Sequence, residues 1–150
     1  MKYDAVEVGD VNEFGEYEMT EAEMIAFAEQ YDPQPFHTDP EAAKEYPYGG
    51  LIASGWHTCA VTMRMLVENQ FRDGDNLGSP GVDELRWHQP VRPGDVLSVR
   101  VEVTEKRPLE SDPRRGLVKS AVETSTEDGT LVLSWKSNVF VRRDPDDVEE

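Results

Sequence analysis

Residues 54–70 carry apolar side chains around most of a helical turn, and almost everything after residue 81 alternates with a period of two. Trp56, Cys59, Ala60, Met63, Leu66 and Val67 keep the 3.6-residue spacing of one helix face, while Val61 and Met65 add apolar groups beside it. A helix apolar on most sides must be wrapped by other structure. The wrapping is supplied downstream. Val82–His88 reads as a strand with Leu85 and Trp87 on one side. Leu97, Val99, Val101 and Val103 alternate with Ser98, Arg100, Glu102 and Thr104, and Gly116–Thr126 follows as another strand. Asp128-Gly129 marks a tight hairpin, after which Leu131, Leu133 and Trp135 open a strand that continues through Val139 and Val141.

Upstream, a short strand is expected over Phe14–Met19, and Thr20-Glu21-Ala22-Glu23 has the form of a capping box. The helix it opens places Met24, Phe27, Ala28 and Tyr31 on its inner face. Ser54 is the expected N-cap of the long helix, and Asp39-Pro40 that of a short helix over residues 41–46, followed by a turn at Pro47-Tyr48-Gly49-Gly50. One strand, then helices, then a run of antiparallel strands is an α+β pattern. With a single buried helix, it predicts the hot-dog arrangement, a sheet curled around a central helix.

Between the first two helices lies Tyr31-Asp32-Pro33-Gln34-Pro35-Phe36-His37-Thr38-Asp39-Pro40. Pro33 disfavours helical geometry at Asp32, and two prolines with fixed φ predict a rigid, irregular segment carrying Asp32 and His37. A carboxylate and an imidazole held together can share one water or one substrate proton. The same residues also suit a plain proline-rich surface loop.

At 150 residues the chain is one domain, expected over 1–143, with an acidic tail at 144–150. Its 31 Asp and Glu against 15 Lys and Arg give −16, and only five of the basic residues are Lys. That balance excludes the basic footprint of a nucleic-acid binder. It also suggests a salt-adapted protein whose self-repulsion is relieved by screening. No run of eighteen apolar residues and no apolar leader is present, so a cytoplasmic protein with no membrane partner is expected. A lone Cys59 makes neither an internal disulfide nor a cysteine zinc site. No ligand spacing supports a metal at His37 and His57, and no cofactor is expected.

Three ordered motifs carry a resemblance. They are Asp32-Pro33-Gln34-Pro35-Phe36-His37, the glycine-flanked entry Gly50-Leu51-Ile52-Ala53-Ser54-Gly55-Trp56, and the turn Pro90-Val91-Arg92-Pro93-Gly94-Asp95. Together the chain resembles the MaoC-like (R)-specific enoyl-CoA hydratases and dehydratases over roughly residues 20–142. Gln34 stands where that family usually has Asn, and Met63 where some members have a substrate-holding Ser.

The resemblance implies syn addition or removal of water on a 2-enoyl thioester of coenzyme A or of an acyl carrier protein. Asp32 and His37 would activate the water, and the Gly55 N–H would be the oxyanion donor at a helix N-terminus. Gln34, Pro35, Ser54, Trp56, His57 and Met63 are the expected substrate-binding residues. Ser54 reads better as an N-cap than as a nucleophile, His57 better as a packed than as a substrate-touching residue, and His88 as structural. Arg86, Arg114, Arg115 and Lys119 are candidates for the phosphates of coenzyme A, and at least a homodimer is implied. Two rivals remain. A hot-dog thioesterase would want a carboxylate on the central helix, whose first acid is Glu68. A non-catalytic acyl-binding subunit would have kept the fold alone.

Overall fold

A computed structural model describes residues 2–144. After a 3₁₀ turn at Tyr3–Ala5 come strand β1 (Val11–Glu18), helix α1 (Glu21–Tyr31), the single turns α2 (Pro35–Thr38) and α3 (Pro40–Ala43), and the long helix α4 (Gly55–Asn69). Strands β2 (Gly81–Trp87), β3 (Val96–Pro108), β4 (Arg115–Thr126) and β5 (Leu131–Arg142) follow. All pairings are antiparallel, in the order β1-β3-β4-β5-β2, so β1 and β2 are the two edges. This is the α+β hot-dog fold.

The alternation expected in β3 holds: Leu97, Val99, Val101 and Val103 are buried. Leu97, Val99 and Val101 join Val122, Val132, Leu133 and Trp135 from β4 and β5 and Val61, Met65 and Leu66 from α4 in one core, while Val103 packs with Tyr3, Val6, Val118, Val139 and Val141 in a second. Gly15 breaks the register of β1 at a positive φ, and a Cβ there would collide with the Met65 side chain. The bulge therefore lets α4 approach the edge strand closely.

The buried face of α4 differs from the one the apolar spacing predicts. The buried residues are His57, Thr58, Val61, Thr62, Met65 and Leu66. Trp56, Met63 and Val67 are exposed at 56%, 43% and 43%. Of the polar residues on the buried face, Thr62 meets Thr124 with their Oγ1 atoms 2.7 Å apart, whereas His57 Nδ1 has no hydrogen-bond partner among the described residues. Similarly, α1 buries Met24 and Ala28 but leaves Tyr31 exposed. The second short helix ends at Ala43 rather than Tyr46. Asp39 caps it through the N–H groups of Glu41 and Ala42. Of the acidic tail, only Asp144 lies within the described residues.

Candidate active site

The segment carrying Asp32 and His37 is more regular than the prolines suggest. Asp32 caps the C-terminus of α1, its N–H donating to Ala28 O at 2.8 Å, with extended φ −154°. Pro35 then starts α2 at a position where its missing N–H costs nothing, and His37 sits inside that turn. The turn swings the imidazole back over the carboxylate. His37 Nε2 lies 3.4 Å from Asp32 Oδ2.

Both side chains are held from behind. Ser54 Oγ donates to Asp32 Oδ2 at 2.7 Å, and Gln34 Nε2 donates to Asp32 Oδ1 at 2.7 Å. Burial pushes the Asp32 carboxyl upward, but these two hydrogen bonds and the facing imidazole outweigh it, and the net shift is below the usual carboxylate value. Asp32 is thus an ionised carboxylate at neutral pH. His37, itself buried, has Nδ1 2.8 Å from the carbonyl of Ile52. A carbonyl only accepts, so Nδ1 carries hydrogen and Nε2 is left facing Asp32.

The stretch Leu51–Ser54 that supplies this carbonyl is buried throughout. It is pinned by Ile52 N–H to Phe36 O at 3.1 Å and Ala53 N–H to Val91 O at 2.9 Å. Val91 belongs to the Pro90–Asp95 turn, closed by Arg92 N–H on Asp95 Oδ2 at 2.8 Å. The three sequence motifs therefore meet at one place.

Ser54 has two duties, since its Oγ also accepts from Trp56 N–H at 3.3 Å as the N-cap of α4. Gly55 opens that helix, and its N–H takes part in no hydrogen bond among the described residues. Trp87 donates Nε1–H to Gly55 O at 2.9 Å, and its ring covers the glycine so closely that a Cβ would collide with it. Close packing by Trp87 is thus one physical reason for glycine here.

Asp32, His37 and Gly55 line one cleft of about 370 Å³ together with Phe36, Tyr48, Trp56, Thr58, Trp87 and His88. Sequence reasoning missed Tyr48, Thr58 and Trp87. It set His88 aside as structural, yet His88 lines this cleft as well as meeting Ser134 Oγ through Nε2 at 2.7 Å. Spacing carried no signal for Trp87 and His88, because strand β2 and the residue after it reach the cleft only through the tertiary fold.

The other expected substrate contacts distribute differently. Gln34 and Ser54 hold Asp32, and Pro35 is the exposed first residue of α2. Met63 lines a separate apolar cavity of about 370 Å³ with Val67, Leu66 and Val82. His57 is buried, stacked on Phe27 with ring centroids 4.7 Å apart, and its Nε2 lies 3.5 Å from Glu23 Oε1. Burial, partly offset by Glu23, lowers its pKa and favours the neutral ring. Tyr17 donates to the same carboxylate, which together with burial pushes its own pKa up to about 12. Arg86, Arg114, Arg115 and Lys119 do not line the Asp32 cleft. Among the described residues, no group of three or more His, Cys, Asp or Glu is arranged to hold a metal ion, and no helix is long and apolar enough to cross a membrane.

The family model described as MaoC like domain matches residues 5–126. The chain belongs to the MaoC-like family. A MaoC-like dehydratase from Rhodospirillum rubrum superposes with a TM-score of 0.90 at 38% identity, covering 97% of this chain and 99% of that one. The 3-hydroxybutyryl-CoA dehydratase of Methylorubrum extorquens is 30% identical over 136 residues, 87% of this chain and 82% of that protein. An (R)-hydratase from A. caviae matches with a TM-score of 0.69 at 26% identity over 90% of this chain and 96% of its own. The MaoC-like family thus includes dehydratases and hydratases, which are hydro-lyases.

Proposed function

We propose that this protein adds water to 2-enoyl thioesters, or removes it from 3-hydroxyacyl thioesters. The observation that carries the reading is the ionised Asp32 carboxylate facing His37 Nε2 at 3.4 Å, in one cleft with the Gly55 N–H. A water in the cleft meets Asp32 Oδ2 and His37 Nε2 together. As its oxygen bonds to C3, its proton passes to the pair, and the pair returns a proton to C2 on the same face. Water is consumed whole, and the addition is syn. Negative charge moves meanwhile onto the thioester oxygen, where the Gly55 N–H and the α4 dipole favour it. Such proton transfers typically contribute about 10²–10⁴ in rate each. The thioesterase rival gains nothing from the site: Glu68, the first acid of α4, is exposed and paired with Arg64.

The working unit in this reading is a homodimer joined through the β2 edge. Trp56 packs edge-on against Trp87 at 5.1 Å between centroids, and Met63, Val67 and Val82 share one cavity wall. These five residues are all at least 43% exposed in the single chain and form a strip along α4 and β2. An exposed strip of this kind beside an unpaired strand edge suits a second copy. Edge β1, by contrast, carries Glu13, Glu16 and Glu18 and repels its like.

The direct test follows loss of enoyl-thioester absorbance with short and medium trans-2-enoyl-CoA at low and high salt, for wild type and Asp32→Asn. Hydration to the (R)-3-hydroxyacyl product that disappears in the variant supports the reading. No hydration at any chain length refutes it in favour of a binding subunit. A monomer by light scattering at both salt levels refutes the dimer.

A further inference from the structure

Six of the fifteen basic residues of this −16 chain, Lys106, Arg107, Arg114, Arg115, Arg142 and Arg143, gather at one end of the sheet. Arg114, Arg115, Arg142 and Arg143 line a cavity of about 290 Å³ with Leu77 and Asp112. The cavity is built rather than incidental. Arg115 lies over the Phe140 ring at 5.2 Å and Arg143 over the Tyr3 ring at 5.4 Å, while Arg143 N–H bonds Arg114 O at 2.8 Å. Asp112 contacts Arg114 and Arg115, Asp75 lies 3.8 Å from Arg142, and Arg143 Nη1 donates to Pro113 O at 3.2 Å. Four arginines line one hollow on a chain with twice as many acids as bases, a lining that suits a compact, multiply charged anion.

We infer that this pocket holds the phosphates of a coenzyme A thioester bound in the partner subunit's cleft. The inference rests on the hydratase reading and on the β2 pairing proposed above. Within one chain the pocket is too distant. Trp87, at the cleft, pairs with Leu133, and the run from Leu133 to Arg142 spans roughly 30 Å at strand rise. An antiparallel β2–β2 pair reverses this. It sets the Gly81 end of one copy beside the Trp87 end of the other, and Gly81 pairs with Asn138. The partner's Arg142 then lies about 13 Å beyond that level and about 10 Å to the side, roughly 16 Å away. An extended chain advances roughly 1.2 Å per bond, so the approximately thirteen bonds from thioester sulfur to the first phosphorus of coenzyme A reach about 16 Å.

The test is the ratio of kcat/KM for crotonyl-CoA to that for crotonyl-pantetheine, which lacks the phosphates. Arg114 and Arg142 are the residues to change, because their side chains are 83% and 58% exposed and their loss leaves the packed Arg115 and Arg143 in place. In Arg114→Ala/Arg142→Ala the ratio falls at least tenfold; an unchanged ratio overturns the inference. Mixed dimers of an Asp32→Asn subunit with an Arg114→Ala/Arg142→Ala subunit then locate the pocket. Their single competent cleft keeps the native ratio if the phosphates rest on the partner, and shows the lowered ratio if they do not. Should the wild type hydrate neither ester, the hydratase reading fails, and calorimetric titration with adenosine 3′,5′-bisphosphate decides the pocket separately. Binding lost in the double variant sustains an anion site, and no binding to the wild type overturns it.

Discussion

Replacing Ser54 separates what holds α4 from what tunes the carboxylate. Ser54 Oγ caps Trp56 N–H and donates to Asp32 Oδ2, and the residue is fully buried. In Ser54→Ala the lost cap costs about 1 kcal/mol. The lost hydrogen bond to an ionised group adds roughly 1.5–3 kcal/mol before any screening at this partly open cleft. A net loss of about 2–3 kcal/mol lowers Tm by roughly 4–12 °C for a chain of this size. Asp32 also loses one of the two hydrogen bonds that hold its pKa down, so that pKa rises. A depressed carboxylate stabilises the fold above its unfolded value and stops doing so as pH falls through its folded value. The acid limb of kcat/KM should therefore move to higher pH. Ser54→Gly is the companion, because glycine costs a cap only a few tenths of a kcal/mol while removing the same hydroxyl. Both variants should shift the acid limb alike, with glycine melting higher. Thr20→Ala removes the α1 cap without touching a carboxylate and should lower Tm alone. An acid limb identical to wild type in both Ser54 variants would refute the idea that Ser54 tunes Asp32.

Four further outcomes follow from the same geometry. Gly55→Ala drives a Cβ into the Trp87 ring and should cost roughly 1–3 kcal/mol of overpacking, with Gly55→Ala/Trp87→Leu recovering part of the denaturation midpoint. Thr62→Val strands the buried Thr124 hydroxyl at about 1–3 kcal/mol, whereas Thr62→Val/Thr124→Val should be closer to wild type in a urea double-mutant cycle. His57, whose folded pKa is depressed by burial, contributes stability that is complete above its unfolded value near 6.5 and is lost as pH falls through the folded value; His57→Gln should flatten that part of a Tm–pH curve. With a net charge of −16, Tm should rise between low and molar salt, and a flat curve would show that self-repulsion is not limiting.

What was legible in the chain divides along physical lines. Period-two alternation in β3 reported its buried face correctly, because one side of that strand packs into the core and the other is only partly covered. The caps at Thr20, Asp39 and Ser54 were legible because they depend on neighbours within three residues. Strand β2 was legible only in outline: a bulge between Asp83 and Arg86, with Glu84 at φ 52°, breaks the alternation and leaves Trp87 half exposed at the cleft. The Asp32–His37 pair could be suspected from the segment itself. Its supports from Ser54 and Ile52 could not, because they arrive from more than a dozen residues away, whereas Gln34 lies within the segment itself.

The misread face of α4 has the most to say about function. Apolar spacing selected Trp56, Met63 and Val67, yet the buried residues include His57, Thr58 and Thr62. On the buried face Thr62 finds a partner in Thr124 and His57 stacks on Phe27. The other face keeps bare apolar groups that need no partner and can be covered by any apolar surface. Its residues begin at the cleft with Trp56 and Trp87 and continue along the edge to Met63, Val67 and Val82. The two faces therefore divide the work. One fixes α4 so that the Gly55 N–H stands beside Asp32 and His37, and the other offers the surface on which a second copy would close the cleft. Met63→Lys/Val67→Lys tests this division. The chain should stay folded by circular dichroism, since both positions are exposed, but become monomeric by light scattering and lose hydration of enoyl-CoA. A folded monomer of full activity would show that a single chain completes the site alone.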